Sequence, residues 1–130
     1  MVATYVDSSA IVKLVVREPE SAALRRYLRH RRPLVSSALA RTEVLRALLP
    51  VGEEAIGRGR RVLRRFDLVR VNDRILDAAG LLAPMEMRSL DAIHLATARR
   101  LGDEVRAVVT YDARMAEAAR RLDYKVVSPS

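Results

Sequence analysis

The sequence predicts an α/β fold in which a central, mostly parallel β-sheet carries helices on both faces. Short apolar strands and amphipathic helical stretches alternate along the 130 residues. Hydrophobic residues make up 50% of the chain and aromatic residues only 4%, so the core must be built from aliphatic side chains. Such side chains fill parallel strands that are buried on both faces. Since no linker or low-complexity segment interrupts the pattern, residues 1–130 are expected to form a single domain.

Five strands are predicted from short runs of β-branched and other apolar residues, which favour extended backbone. In chain order they cover residues 2–6, 33–36, 68–71, 105–109 and 124–127. A helical stretch follows each of the first four strands, and such crossovers make neighbouring strands parallel. Ligands of parallel sheets bind beyond the carboxyl ends of the strands, so a functional site is expected there.

Seven helices are predicted from the spacing of apolar residues and from the polar residues that can cap them. A side-chain oxygen at Ser36 or Ser37 can accept the first free backbone N–H of the third helix. Asp73 is expected to cap the fifth helix and Ser89 the sixth in the same way. The predicted helices cover residues 8–16, 20–30, about 38 to 49, 53–65, 73–83, 90–101 and 113–122.

Composition excludes several kinds of chemistry. The chain has no Cys, which rules out disulfides, thiolate metal ligands and Cys nucleophiles. Its formal net charge of +8 favours polyanionic partners, although an Arg-rich surface can also serve solubility alone. The apolar run at residues 10–16 contains Lys13, so it is expected to be neither a signal segment nor a membrane span. A cytoplasmic protein is the expectation.

Four carboxylates, Asp7, Glu43, Asp91 and Asp112, are the candidate site residues. Each has a structural alternative: two follow strands and can cap helices, one interacts with a helix dipole, and Glu43 can be solvated. Together they are expected to meet at the carboxyl edge of the sheet. Such a cluster repels itself unless a cation is present. Oxygen ligands without Cys favour Mg²⁺ or Mn²⁺ over zinc.

Four segments carry a family resemblance: residues 6–10 (VDSSA), 40–44 (ARTEV), 89–98 (SLDAIHLATA) and 109–112 (VTYD). They resemble, in order and spacing, the signature segments of PIN domains, and most closely those of the VapC toxins of toxin–antitoxin modules. The resemblance spans essentially the whole chain.

The resemblance implies a Mg²⁺- or Mn²⁺-dependent endoribonuclease that hydrolyses RNA, is neutralised by a VapB-type antitoxin and forms a homodimer. Asp7 and Asp91 match the most consistent metal ligands of the family. Glu43 and Asp112 match its remaining acids, and Thr110 matches the hydroxyl residue that accompanies the last of them. All four acids are therefore expected to act as metal ligands and catalytic residues.

Two alternative functions stay open at this point, as do the roles of His94 and of one arginine cluster. A non-catalytic PIN-like module that binds RNA or protein would have the same fold, and a phospho-acceptor receiver domain also gathers acids at strand ends. The receiver pattern wants paired acids after the first strand, where this chain has Asp7-Ser8-Ser9. His94 is more often a packed or hydrogen-bonded residue than a general base. The arginines between residues 58 and 65 can form an RNA track or a solvated helix face.

Overall fold

The computed structural model describes residues 2–130, and within them five parallel strands form one sheet. The spatial order of the strands is β3-β2-β1-β4-β5, so the first and fourth strands lie at the centre. The strands are β1 (Ala3–Val6), β2 (Leu34–Ser37), β3 (Asp67–Val69), β4 (Val105–Val109) and β5 (Val126–Val127). The predicted parallel sheet is confirmed, and all of its pairings are parallel.

In the part of the chain that the structure describes, seven α-helices connect and flank these strands. They are α1 (Ser8–Val15), α2 (Ser21–Leu28), α3 (Leu39–Leu48), α4 (Glu53–Leu63), α5 (Asp73–Gly80), α6 (Ser89–Arg100) and α7 (Ala113–Arg121). A single 3-10 turn at Gly102–Glu104 precedes β4. Within residues 2–130, none of the helices combines the length and the apolar character that crossing a bilayer requires.

The helices divide between the two faces of the sheet because side chains alternate along each strand. Val6 and Val109 point into a core formed with α1, α2, α3 and α4. Tyr5 and Val108, one residue earlier in each strand, point into the opposite core with α6 and α7. Helix α5 packs against α6 on that second face. Both faces are therefore covered, as predicted.

The strand order brings the ends of β1 and β4 side by side. Val6 pairs with Val109, and the backbone N–H of Asp7 donates to the Val109 carbonyl at 3.1 Å. Asp7 and Asp112 thus leave adjacent strands at the same edge, although 105 positions of sequence separate them. This adjacency is what places the acidic residues of the two halves together.

Two predicted caps are wrong. Asn72, not Asp73, caps α5, and its side chain accepts from the Ile75 N–H at 2.9 Å. Ser89 is already the first residue of α6, whose N-cap position is Arg88 and has no side-chain capping bond. Adjacent polar residues have similar cap preferences, so the backbone path decides which of them caps. The last strand is also shorter than predicted, since only two of its four expected residues pair.

A glycine in α4 has a packing role. Glycine disfavours helical backbone, but Gly59 lies where α4 crosses α3. A Cβ at this position would lie 2.5 Å from Leu48 Cδ1, closer than carbon atoms approach. The absence of a side chain lets the two helices pack closely, which outweighs the loss of helix propensity.

Candidate metal centre

Asp7 is the most buried carboxylate of the site, with only 5% of its surface exposed. It follows β1 directly and caps α1, because its Oδ1 accepts the Ala10 N–H at 3.1 Å. Ser9 donates its hydroxyl to the same oxygen at 2.6 Å, and Thr110 donates to Oδ2 at 2.5 Å. The capping role considered from the sequence is thus observed, and the side chain is held at both oxygens.

Thr110 connects the two carboxylates that end the central strands. While its hydroxyl donates to Asp7, it accepts the backbone N–H of Asp112 at 3.1 Å. Asp112 in turn caps α7, since its Oδ1 accepts the N–H groups of Arg114 at 2.8 Å and Met115 at 3.2 Å. One hydroxyl therefore fixes the spacing between the start of α1 and the start of α7.

Burial sets the ionisation of Asp7. The loss of solvent raises the pKa of its carboxyl above the ordinary value, because the charged form is poorly solvated. Hydrogen bonds from Ser9 and Thr110, and the proximity of His94, oppose this rise without cancelling it. A nearby cation would relieve the same penalty. The burial of its negative charge therefore makes the Asp7 carboxylate suited to bind a cation.

Glu43 points inward from α3, where the sequence left open a solvated role. Its Oε1 accepts two hydrogen bonds, from Ser8 Oγ at 2.7 Å and from His94 Nε2 at 2.6 Å. The opposite ring nitrogen of His94, Nδ1, lies 2.7 Å from the Tyr5 hydroxyl. The Glu43 side chain is only 23% exposed and that of His94 only 4%. Glu43 is therefore anchored, and His94 has the hydrogen-bonded role expected of it.

Glu43 and Tyr5, the two residues that contact His94 from either side, both have shifted pKa values. Burial alone would raise the pKa of Glu43, but the hydrogen bonds from His94 and Ser8 outweigh it and lower the pKa. Burial, and then the charge of Asp7, raise the pKa of Tyr5 well above its ordinary value. Glu43 is thus a carboxylate at neutral pH, and Tyr5 keeps its proton.

Asp91 lies in the first turn of α6 and is half-buried. Burial raises the pKa of its carboxyl, and the charges of Asp112 and Asp7 raise it further. Arg88 and His94 act in the opposite direction. Asp7, Asp91 and Asp112, which come from distant parts of the chain, therefore lie within electrostatic range of one another.

A cavity of about 670 Å³ opens beside Asp91, between the start of α6 and the face of α7. Arg88, Arg114 and Arg121 contribute positive charge to its wall, and Glu86 and Glu117 contribute negative charge. Its other lining residues, besides Asp91, are Pro84, Met87, Ala113 and Ala118. The acidic edge is thus open to solvent on the side of Asp91, next to a wall that bears arginines.

Asp7, Glu43 and Asp91 each lie within electrostatic range of His94, and Asp112 lies within range of Asp91, but the acids do not form a closed cage. Among residues 2–130, no three His, Asp or Glu side chains are arranged to hold one ion between them as they stand. The donor set nevertheless fits a hard cation, because all its ligand atoms are carboxylate oxygens. Mg²⁺ keeps several waters and takes only one or two carboxylates directly, so it needs no three-residue cage. The repulsion between Asp91 and its acidic neighbours is the feature that such a cation would relieve.

The arginines between residues 58 and 65 lie away from this edge. Arg58, Arg60, Arg61, Arg64 and Arg65 are all exposed on and after α4. Arg60 and Arg64 line a cavity of about 630 Å³ with Arg41, between α3, α4 and the start of β3. The surface is basic, and its cavity is separate from the one beside Asp91.

Sequence reasoning missed the partners that hold the acids. Ser8 and Ser9 follow Asp7 directly, yet they serve different carboxylates: Ser8 binds Glu43 and Ser9 binds Asp7. Tyr5 gave a weak signal as an aromatic hydroxyl residue in an otherwise aliphatic strand. Its partner His94 is 89 positions away, a separation at which no local pattern indicates contact.

The fold and this acidic edge define a class of α/β domains with carboxylates beyond a parallel sheet, and comparisons with known proteins agree. The PIN domain family model matches residues 4–121. Ribonuclease VapC46 of Mycobacterium tuberculosis is 63% identical over 130 residues, covering 100% of each chain. Ribonuclease VapC35 of the same species is 41% identical over 129 residues, covering 96% of each.

Solved structures share the fold at low sequence identity. The crystal structure of Mycobacterium tuberculosis VapC20, described as a sarcin-ricin loop cleaving toxin, superposes with a TM-score of 0.75 at 17% identity. That match covers 89% of this chain and 95% of the other. A toxin–antitoxin complex from Klebsiella pneumoniae gives a TM-score of 0.75 at 19% identity, covering 98% of each chain. The chain belongs to the PIN domain family and, within it, to the VapC ribonucleases.

Proposed function

We propose that this chain is a Mg²⁺- or Mn²⁺-dependent endoribonuclease and the toxin of a toxin–antitoxin pair. The observation that carries the proposal is the meeting of Asp7, Asp91 and Asp112 at the carboxyl edge, with Glu43 anchored beside them by His94. Residues 1–130 act in this proposal as one domain, which the single sheet and the family match over 4–121 support. The four acids are its proposed metal ligands and catalytic residues.

The proposed ligands differ in what they still offer a cation. Asp7 already accepts hydrogen bonds on both oxygens, so it brings a fixed negative charge. Glu43 accepts both of its hydrogen bonds on Oε1, which leaves Oε2 for a ligand. Asp91 faces the open cavity. When bound, a divalent cation would activate water and neutralise charge on the phosphate.

The cavity beside Asp91 is the proposed path for the RNA backbone. Arg88 lies one residue before α6, and Arg114 lies in the first turn of α7. Their guanidinium groups can hold phosphates that flank the scissile bond, because Arg presents several donors to phosphate oxygens. The net charge of +8 attracts the polyanion over longer range. Binding should therefore weaken as salt rises.

A VapB-type antitoxin and a second copy of the chain are the proposed protein partners. The similarity to a protein described as part of a toxin–antitoxin complex supports the first. The homodimer follows only from the family resemblance, and light scattering on the purified chain tests it directly. The cytoplasm is the proposed location, since the proposed substrate is cellular RNA.

Expression in growing cells, followed by mapping of RNA 5′ ends, tests the proposed activity. The wild-type chain should arrest growth and create new 5′ ends, whereas Asp7→Asn should do neither. Asp103→Asn is the matched control, because Asp103 is an exposed aspartate in the 3-10 turn before β4, at the amino edge of the sheet. If neither the wild type nor Asp7→Asn creates new 5′ ends, the chain is a non-catalytic module instead; if both create them, Asp7 is not a catalytic residue.

A further inference from the structure

We propose that Tyr5 and His94 are positioning residues that, together with Ser8, orient the Glu43 carboxylate toward the cation. The inference rests on the proposed function, because it gives Glu43 its task there. It adds two residues, one from β1 and one from α6, that the acidic site itself does not include. Neither residue is required to touch RNA or the cation.

The geometry supports the inference in three contacts. Ser8 and His94 both donate to Oε1 of Glu43, at 2.7 Å and 2.6 Å, and Tyr5 lies 2.7 Å behind His94. Helices α1 and α3 cover one face of the sheet and α6 covers the other. The contact between Glu43 and His94 therefore joins the two faces beyond the carboxyl edge. A free Glu side chain has several rotamers, and two donors on one oxygen select among them.

The direction of the hydrogen bonds follows from the chemistry of the partners. An ionised carboxylate only accepts, so we assign a proton to Nε2 of His94. We assign the ring this single proton, so that Nδ1 accepts and the Tyr5 hydroxyl donates to it. Tyr5 is fully buried, so water does not compete with His94 for its hydroxyl. The edge-to-face arrangement of the two rings, with planes at 84°, further fixes the imidazole.

Burial makes this arrangement more than a surface contact. His94 is 3% exposed and Tyr5 is not exposed at all, so water cannot replace either donor. Hydrogen bonds to charged groups are stronger than those between neutral groups. Partners that orient a metal ligand in this way typically change metal affinity or activity by roughly 10- to 100-fold when removed. Glu43 without them would keep its charge but lose its fixed direction.

Tyr5→Phe is the most informative variant, because it removes one hydroxyl and keeps the ring that fills the core. Tyr124→Phe is the matched control: Tyr124 belongs to the same core cluster but precedes β5 at the amino edge of the sheet. His94→Leu removes the donor to Glu43 outright, whereas the amide of His94→Gln can still donate. Each variant is made in the full chain, and its thermal unfolding is recorded as a check on the fold.

Mn²⁺ affinity, followed by electron paramagnetic resonance without RNA, is the first readout. We expect affinity to fall about 10- to 100-fold in His94→Leu and less in Tyr5→Phe, with partial recovery in His94→Gln. In RNA cleavage kcat should fall while KM for RNA stays within about twofold, since binding of the flanking phosphates is untouched. Tyr124→Phe should match the wild type in both measurements.

Nitrogen NMR of the imidazole gives an independent readout, and assignment is simple because the chain has only two His. We expect a protonated Nε2 for His94, and a displaced Nδ1 resonance in Tyr5→Phe. A ring protonated only at Nδ1 would overturn the assigned hydrogen bonds.

The outcomes separate the two proposals. If Tyr5→Phe folds, cleaves RNA and binds Mn²⁺ as the wild type does, the positioning role is overturned and the ribonuclease proposal stands. If His94→Leu does not fold, the result for Tyr5→Phe alone decides whether the positioning role holds. If the wild type does not cleave RNA but Tyr5→Phe weakens Mn²⁺ binding, the positioning role stands and the ribonuclease proposal fails.

Discussion

The acidic edge has two sides that are built differently. On the inner side, Asp7 and Glu43 accept five hydrogen bonds between them from Ala10, Ser9, Thr110, Ser8 and His94. On the outer side, no hydrogen bond to the Asp91 carboxylate is found among residues 2–130, and the cavity lies beside it.

The two sides of the edge therefore offer a cation different kinds of ligand. The inner carboxylates are held by protein hydrogen-bond donors. They therefore lose little side-chain freedom when a cation binds. The outer carboxylate keeps its oxygens for ligands, and its raised pKa records the repulsion that remains. The inner side therefore holds its carboxylates in fixed positions, and the outer side leaves carboxylate oxygens free to bind ligands.

Substitution of Asp91, on the outer side, should have the largest effect on RNA cleavage. Asp91→Asn should lower kcat for RNA cleavage by at least about 100-fold, because a bound cation contributes several kcal/mol to the transition state. Steady-state cleavage of a defined RNA at saturating Mn²⁺ measures this. Asp103→Asn serves as control, and a residual activity of Asp91→Asn within a few-fold of it would remove Asp91 from the site.

Stability in EDTA should change in opposite directions on the two sides. Glu43→Gln should destabilise the fold at neutral pH by about 1 to 2 kcal/mol, because it weakens two hydrogen bonds to a charged group. Asp91→Asn should leave stability unchanged or raise it by up to about 1 kcal/mol, because it removes like-charge repulsion. Urea unfolding of both variants at pH 7 measures the two values. Equal losses in both would mean that the two sides are not distinct.

The pH dependence of these differences has a defined sign. The folded pKa of Glu43 is lowered, so its stabilisation is present above the unfolded pKa and is lost as pH falls through the folded value. The folded pKa of Asp91 is raised, so its penalty applies at neutral pH and disappears as pH falls through that value. Both variants should therefore approach wild-type stability in acid, from opposite sides.

A smaller effect is expected at the wall of the cavity. Arg88→Ala should raise KM for RNA about 3- to 10-fold with little change in kcat, because one phosphate contact is lost. The slope of log affinity against log salt should become shallower by about 0.7, the value for one contact to a single strand. Arg100→Ala, at the opposite end of α6, is the control and should change neither quantity. Identical slopes for the two variants would move the RNA path elsewhere.

Sequence reasoning could predict the sheet, the order of its helices and the residues that end its central strands. The positions of Asp7 and Asp112 could be predicted because each follows an apolar run and precedes a helix. That pattern fixes the edge of the sheet on which both residues lie. The cap of α5 was missed by one residue because Asn72 and Asp73 are equally good caps in sequence.

The contacts that make the inner side rigid could not be read in the same way. Glu43 and His94 are 51 positions apart and sit on helices from opposite faces of the sheet. The close approach of Leu48 to Gly59 in α4 is likewise invisible to helix propensity, which only disfavours a glycine there. Such pairings depend on how helices dock, which no local periodicity encodes.

In the proposed site, one cation is bound by carboxylates from both sides of the edge. Titration of Mn²⁺ into the full chain, followed by electron paramagnetic resonance, compares Asp7→Asn, Glu43→Gln, Asp91→Asn and Asp112→Asn with the control Asp103→Asn. We expect weaker Mn²⁺ binding in each of the four variants and wild-type binding in the control. Wild-type affinity in both Asp7→Asn and Asp91→Asn would show that the two sides do not share one cation.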